Sequence, residues 1–424
     1  MFCFISKMSS WKKLLLGIIL GIATGAVLGE KAAPFSYLGV IFMNAIKMVI
    51  VPMVFFTIVY GATNIEGAAN IGKISIKAGI AFIITAMFAA CLGLAVGYLM
   101  QPGIACDKNS ILHAMNVLND GSPNFANLEA AKNPVDILLN LIPTNIFAAF
   151  KDGHILQIIV FAFFTGIVLN LQRQSCAGLI KILHDIAHVF FKMIEIIMKF
   201  APIGVFGYLA ALIGLEGFGI LGTLTKLIIA VLIACLLQYI IFGGMILVWG
   251  KMSPWPFYKK VWEAQLIAFS TSSSKATLVP LMNIMENKMG VSKQSSRFVL
   301  PLSAALNMDG GAIYHSICAL FFAQLLGVQL GAAEYMTLIL MSTIASIGGA
   351  GIPGGVLLFL GMVLQSIGLP MEGVLIVATV DRILDMMTTV INVTGDACIT
   401  LLIDKSQKSL NVEHYLAKGI DDFR

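Results

Sequence analysis

The chain has 424 residues, of which 58% are hydrophobic and only 12% charged, and its mean hydropathy is +0.92. Soluble domains sit near half apolar and a quarter charged, so water is excluded as the main solvent and lipid must supply much of the exterior. The net charge of +5 is spread through connecting segments without basic runs interleaved with aromatics, which argues against a nucleic-acid partner.

In chain order, Lys12 and Lys13 precede an apolar run from Leu14 to Leu28. A signal peptide has this form too, but a second apolar stretch follows at once and no small-x-small cleavage site stands out, so the run is read as the first membrane helix. Apolar stretches at about 12–30, 36–62, 76–101, 137–172, 179–213 and 219–250 each reach the roughly 20 residues that a spanning helix needs. Two of them, 137–172 and 179–213, are too long for one straight crossing, and Pro143 and Pro202 predict breaks or tilts there. With the N-terminus inside, Lys73, Lys77, Arg173, Lys181, Lys251, Lys259, Lys260 and the basic C-terminus all fall on the cytoplasmic side, as the positive-inside rule expects. The segment 102–136 is then the main external loop.

After residue 250 the apolar segments shorten and are interrupted. Segment 266–283 carries Ser270, Thr271, Ser272, Ser273, Ser274 and Lys275, and segment 340–368 carries ASIGGAGIPGG at 345–355. Neither pair of apolar arms is long enough to cross twice, so both read as helical hairpins that enter and turn back. Each is expected to be followed by a full-length helix with a buried Asn and Asp, NMDGG at 307–311 and NVTGD at 392–396. Paired discontinuous segments of this kind point to a transporter site near the bilayer midplane.

In the last span Asp381, Asp385, Thr389, Asn392 and Asp396 are separated by 4, 4, 3 and 4 positions, which is one helical face. Three carboxylates on such a stripe cannot face lipid, where each charge costs on the order of 3 kcal/mol, so they must meet cations or hydrogen-bond donors. Helix-helix glue is the plainer reading, but five polar groups together with Asp309 of NMDGG favour an ion or solute site. Asp309 and Asp396 suit a hard monovalent cation beside broken-helix carbonyls, and Asp385 suits an ammonium group. The serine tip at 272–274 offers backbone N–H groups where a short helix begins, a place for a carboxylate. Ser272-x-x-Lys275 also matches the serine-acylase pattern, and the glycines at 348–355 suggest a phosphate loop, but neither has its partner motifs. Seven scattered cysteines and six histidines show no metal or catalytic spacing, so no enzyme and no organic cofactor is expected.

On KMVIVPMVFF at 47–56, IPTNIF at 142–147, KFAPIGVFG at 199–207, STSSSKATL at 270–278, NMDGG, ASIGGAGIPGG and DRILDMMTTVINVTGD at 381–396, the chain resembles the dicarboxylate/amino acid:cation symporter family, the glutamate transporter homologues. The resemblance implies an all-α membrane protein with eight transmembrane helices and two re-entrant hairpins, built of inverted repeats. It implies a homotrimeric elevator; the compact tails and the lack of a long external insertion suggest a bacterial inner membrane, and the basic residues place both termini in the cytoplasm. Residues 1–75 would be scaffold helices, 76–136 transport-domain helix and external loop, 137–213 scaffold, and 214–424 the transport core.

By position the resemblance puts substrate contacts on Ser272, Ser274, Gly311, Ile352, Asp385, Thr388, Thr389 and Asn392, with Asp385 on the amino group and Asn392 on the α-carboxylate. Sodium, the coupling ion, would be held by Ser303, Asn307, Asn392 and Asp396, by Ala305, Ser346, Ile347 and Gly349, and by Thr85, Asn307 and Asp309. Phe82 and Ala86 stand where oxygen-bearing side chains are usual in the third set. Acidic-substrate members carry Arg at the position of Thr388 and Thr at that of Gly311, so a small neutral amino acid is the expected substrate. A glutamate, aspartate or dicarboxylate symporter, with Lys275 supplying the charge, is the alternative, and an anion channel the rival class. His315 stands at a position that is acidic in proton-coupled animal members. It reads as a titrating group or as a packing imidazole.

Overall fold

A computed structural model describes residues 10–63, 71–104, 142–152, 155–348, 355–371 and 373–417. Among the described residues the regular structure is helical throughout, with no strand. The first half comprises α1 (Ser10–Leu28), a 3₁₀ turn (Gly29–Phe35), α2 (Ser36–Thr63), α3 (Ile71–Met100), α4 (Ile146–Asp152), α5 (Ile155–Leu171), α6 (Ala177–Met198) and α7 (Ala201–Glu216). α8 (Gly219–Val248) follows.

Gly17, Gly21 and Gly25 recur every fourth residue on α1, and an added Cβ there would lie 2.5, 2.8 and 2.6 Å from the carbonyl oxygens of Pro202, Phe206 and Ala210 on α7. This stripe of small residues lets two backbones touch, which is how helices associate when lipid removes the hydrophobic drive between them. The predicted break near Pro202 is present: Lys199 and Phe200 separate α6 from α7, and the two helices meet at 47°. Pro202 sits in the first turn of α7, where its missing N–H costs no helical bond. In the other over-long stretch Pro143 lies ahead of α4, which runs to Asp152, and α5 begins at Ile155; residues 153–154 lie outside the described residues.

The second half differs from its sequence-based reading in three ways. The first hairpin is longer than 266–283: its arms are α9 (Trp255–Thr271) and α10 (Ser274–Asn287). Polar Lys259, Lys260 and Glu263 made the outer part of α9 look like a loop. NMDGG does not lie within a full-length helix; α11 (Lys293–Leu306) stops at Asn307, Met308 is non-helical at φ −130° and ψ 64°, and α12 (Asp309–Leu326) begins afresh. The second hairpin's first arm, α13 (Ala332–Gly348), starts ahead of 340, and α14 (Gly355–Ser366) is its second. The GGAGIPGG tip falls mostly outside the described residues. A short α15 (Gly373–Ala378) leads into α16 (Asp381–Ser406), which is continuous through NVTGD, and α17 (Val412–Leu416) closes the described chain.

The core sits around α12, on which nearly every residue is buried, polar ones included. It packs against α3, α8, α13, α14 and α16. At the cytoplasmic end predicted from charge, the wholly buried Tyr415 of α17 donates from its hydroxyl to Ser253 O at 2.7 Å, and Lys260 Nζ donates to the carbonyls of His414 and Tyr415 at 3.0 and 2.8 Å. The C-terminal segment is thereby tied to the base of the first hairpin. By length and apolar composition, Leu15–Ile46, Lys77–Met100, Gly222–Val248 and Asp381–Ser406 can each cross a membrane, and the bent α6–α7 pair adds a fifth candidate among the described residues.

Candidate functional site

The polar face of α16 runs antiparallel along the break between α11 and α12. Asn307 caps α11 and donates from Nδ2 to Asp396 Oδ1 at 3.1 Å, while its Oδ1 accepts from Thr85 Oγ1 of α3 at 3.3 Å. Three residues on, the Gly310 N–H donates to Asn392 Oδ1 at 2.8 Å, and Tyr314 donates from its hydroxyl to Asp381 Oδ1 at 2.8 Å. The Gly310 contact explains the glycine: a Cβ there would stand 2.2 Å from Thr388 O. Only a residue without a side chain brings the first turn of α12 this close to α16.

Breaking the helix at Asn307 and Met308 frees backbone groups in the interior, which is tolerated at membrane depth only where protein or a polar cavity satisfies them. The break also aims the α12 N-terminus, with its positive end, into the space that Asn392 and Asp396 border. Asp309 opens that helix. Its carboxylate is fully buried and faces Thr85 and Gln238, yet neither oxygen has a well-formed hydrogen bond. Ser303 is buried and faces Asp396. Carboxylate, amide and hydroxyl oxygens thus converge, a donor set that suits a hard cation. Among the described residues no three His, Cys, Asp or Glu side chains cluster as a metal site.

The tip of the first hairpin is formed by three serines. Ser272 ends α9 in the left-handed conformation at φ 50°, its buried hydroxyl without a hydrogen-bond partner. Ser273 caps α10 by accepting from Ala276 N at 3.2 Å, and Ser274 is buried as the first residue of α10. A left-handed non-glycine residue at this half-buried turn is strained backbone of the sort found where ligands are held. Lys275 beside it is exposed.

Of the remaining predicted residues, Thr388 is buried with its Oγ1 on Asp385 O at 3.3 Å, Thr389 is buried, and Asp385 is partly buried facing Thr389. Gly311 lies against Ser346 of α13, where an added Cβ would meet Ser346 Cβ at 3.4 Å. Ser346 is buried and Ile347 partly so, and Ala305, on the last turn of α11, has an exposed side chain. Gly349 and Ile352 lie outside the described residues. His315 is buried on α12, its Nε2 2.7 Å from Val356 O on α14, and its other nitrogen faces Ser342 of α13. The imidazole is thereby tied to the second arm of the hairpin, while Nδ1 has no well-formed hydrogen bond.

The sodium:dicarboxylate symporter family profile matches residues 11–406. The chain belongs to this family. It is similar to the proton/glutamate-aspartate symporter of Escherichia coli (strain K12), 32% identical over 420 residues that cover 97% of this chain and 96% of that protein. It is also similar to two Bacillus subtilis (strain 168) proteins. One is a proton/sodium-glutamate symport protein, 31% identical with 94% and 93% covered, and the other a C4-dicarboxylate transport protein, 31% identical with 94% of each chain covered. This symporter is accordingly a cation-coupled membrane transporter and not an enzyme.

Three residues of the symporter's polar core escaped the sequence reading. Tyr314 pairs with Asp381, Gln265 Nε2 donates to Thr394 Oγ1 at 2.9 Å, and Gln238 faces Asp309. Gln238 is one polar group on an otherwise apolar helix, whereas Gln265 and Tyr314 lie on helices with several polar residues and do not stand out by spacing. For Gln238, a lone carboxamide at membrane depth was the available signal, since such a group demands a partner.

Proposed function

We propose that this symporter carries a small carboxylate-bearing solute, with glutamate, aspartate or a C4-dicarboxylate as the first candidates, driven by sodium bound around Asp309 and Asp396. The observation that carries the reading is the buried Asn307, Asp309, Asn392 and Asp396 constellation, which holds two carboxylates with no basic side chain among their described partners. Two unneutralised carboxylates cost on the order of 3 kcal/mol each at membrane depth, so the empty site crosses the bilayer poorly; a bound cation removes that penalty and ties movement to its gradient. In this reading Ser272, Ser274, Gly311, Ile352, Thr388, Thr389 and Asn392 surround the solute, and Asp385 takes its amino group where it has one. Ser303, Asn307, Asn392 and Asp396 hold one sodium ion, the oxygens of Ala305, Ser346, Ile347 and Gly349 a second, and Thr85, Asn307 and Asp309 a third.

The substrate candidates come from the relatives, whose names state glutamate-aspartate, glutamate and C4-dicarboxylate transport. A small neutral amino acid is the second reading, favoured by one observation: Thr388, fully buried, brings an uncharged hydroxyl to the site. An acidic side chain there would need another cation, and Arg382, whose charge acts on Asp381 and Asp385, is the nearest source on α16.

We place the protein in a bacterial inner membrane with both termini cytoplasmic. It works as an elevator of eight spans and two hairpins in a homotrimer, with residues 1–75 and 137–213 as scaffold and 76–136 and 214–424 as the moving part. Competition of unlabelled glutamate, aspartate, succinate, serine, alanine and glutamine against uptake into proteoliposomes tests the substrate. Displacement by the acidic solutes supports the first reading, displacement by serine or alanine alone moves the assignment to the second, and downhill flux without accumulation contradicts both.

A further inference from the structure

Gln238 is the one carboxamide on α8, 1% exposed in the middle of a long apolar helix, and its Oε1 has no hydrogen-bond partner. Its amide faces Asp309, whose two buried carboxylate oxygens are approached by the Gln238 and Thr85 side chains without a well-formed hydrogen bond. Three buried oxygens without a well-formed hydrogen bond, on neighbouring residues of α8 and α12, are an unfavourable arrangement for the protein alone and a favourable one around a cation. Among its side chains near Asp309, α3 supplies the Thr85 hydroxyl, whereas Phe82 and Ala86, both buried, have no side-chain oxygen. The packing also fixes the geometry. Phe242, one turn beyond Gln238 on α8, and Asp309 both press on Gly395 of α16, where an added Cβ would lie 3.0 Å from Phe242 Cζ and 3.1 Å from Asp309 Oδ2.

We infer that Gln238 is a ligand of the cation held at Asp309 and the residue on α8 that sets its affinity. The shell it completes is Asp309 Oδ1 and Oδ2, Thr85 Oγ1, Asn307 Oδ1 and Gln238 Oε1. The amide is suited to the task because its two ends have the same shape. Without an ion, its N–H end can face the carboxylate; with one, the oxygen turns inward, and no hydrogen bond to Oε1 opposes the rotation.

The inference rests on sodium coupling, and the test separates the two. Sodium titrations of thermal stability in detergent, with choline keeping ionic strength constant, are compared for the wild type, Gln238→Met, Gln238→Glu and Asp309→Asn, each checked for monodispersity. A ligand that binds only the folded state raises Tm with its concentration, so the titration midpoint reports binding without transport. Gln238→Met keeps the volume and removes the hard oxygen, and is expected to weaken sodium about 10-fold; Gln238→Glu adds charge and is expected to tighten it. A purely structural glutamine would make both variants worse or neither. An unchanged midpoint in Gln238→Met with a shifted one in Asp309→Asn, or weaker sodium in both Gln238 variants, overturns the assignment and leaves sodium coupling standing. A wild type whose Tm ignores sodium overturns both.

Discussion

The first and last spans are similarly apolar by composition yet live in opposite surroundings: 22% of the most apolar part of Leu15–Ile46, which runs from α1 into α2, is buried inside the protein, against 78% for Asp381–Ser406. The difference lies in where the polar groups fall. α1 has no ionisable residue between Lys13 and its end, and it offers Ile19, Leu20 and Val27 to the outside while gripping α7 through glycines. α16 gathers Asp381, Asp385, Asn392 and Asp396 on one face and must be enclosed by partners that answer them. Average hydropathy admits a helix to the membrane; the placement of a few carboxylates decides whether it meets lipid or protein.

Substitutions on the two helices sharpen this contrast. Gly310→Ala puts a methyl group where Thr388 O stands at 2.2 Å, so it forces α12 off α16. Destabilisation of about 3 kcal/mol is expected by thermal unfolding in detergent, with loss of uptake. Asn392→Leu leaves the buried Gly310 N–H without its acceptor, an expected cost of about 1–3 kcal/mol accompanied by weaker substrate binding in a competition assay. Tyr314→Phe removes one hydrogen bond to Asp381 while keeping the ring, and about 1 kcal/mol should be lost in the same unfolding assay. At the far end of the scale, Val27→Ala on the 82%-exposed outer face of α1 should change the midpoint by less than about 0.5 kcal/mol. A large effect there would mean that α1 is enclosed by something other than acyl chains.

The same contrast explains what was legible in the sequence. The stripe on α16 could be read because its five residues repeat at helical spacing, and the serine tip because Ser272 to Ser274 interrupt apolar arms. The break at Asn307 was missed because the apolar run through Leu326 reads as helix, although Asn, Asp and two glycines are weak helix formers; the facing Asn392 and Asp396 make it favourable to open the backbone there. α11 was obscured by its polar outer residues, Lys293, Gln294 and Arg297, and by Pro301. Gln238 and Tyr314 were missed because periodicity reports a face and not its partner. The membrane character, by contrast, needed composition alone.

The most direct test of the central claim is uptake against a concentration gradient, driven by an imposed sodium gradient, in proteoliposomes holding the wild type, Asp385→Asn or Asp396→Asn at matched reconstitution. The wild type should concentrate its solute and lose it when the gradient is collapsed, while both variants fall to the leak of empty vesicles. Variants that still concentrate solute with the wild-type cation dependence would show that the buried carboxylates do not couple cation to cargo.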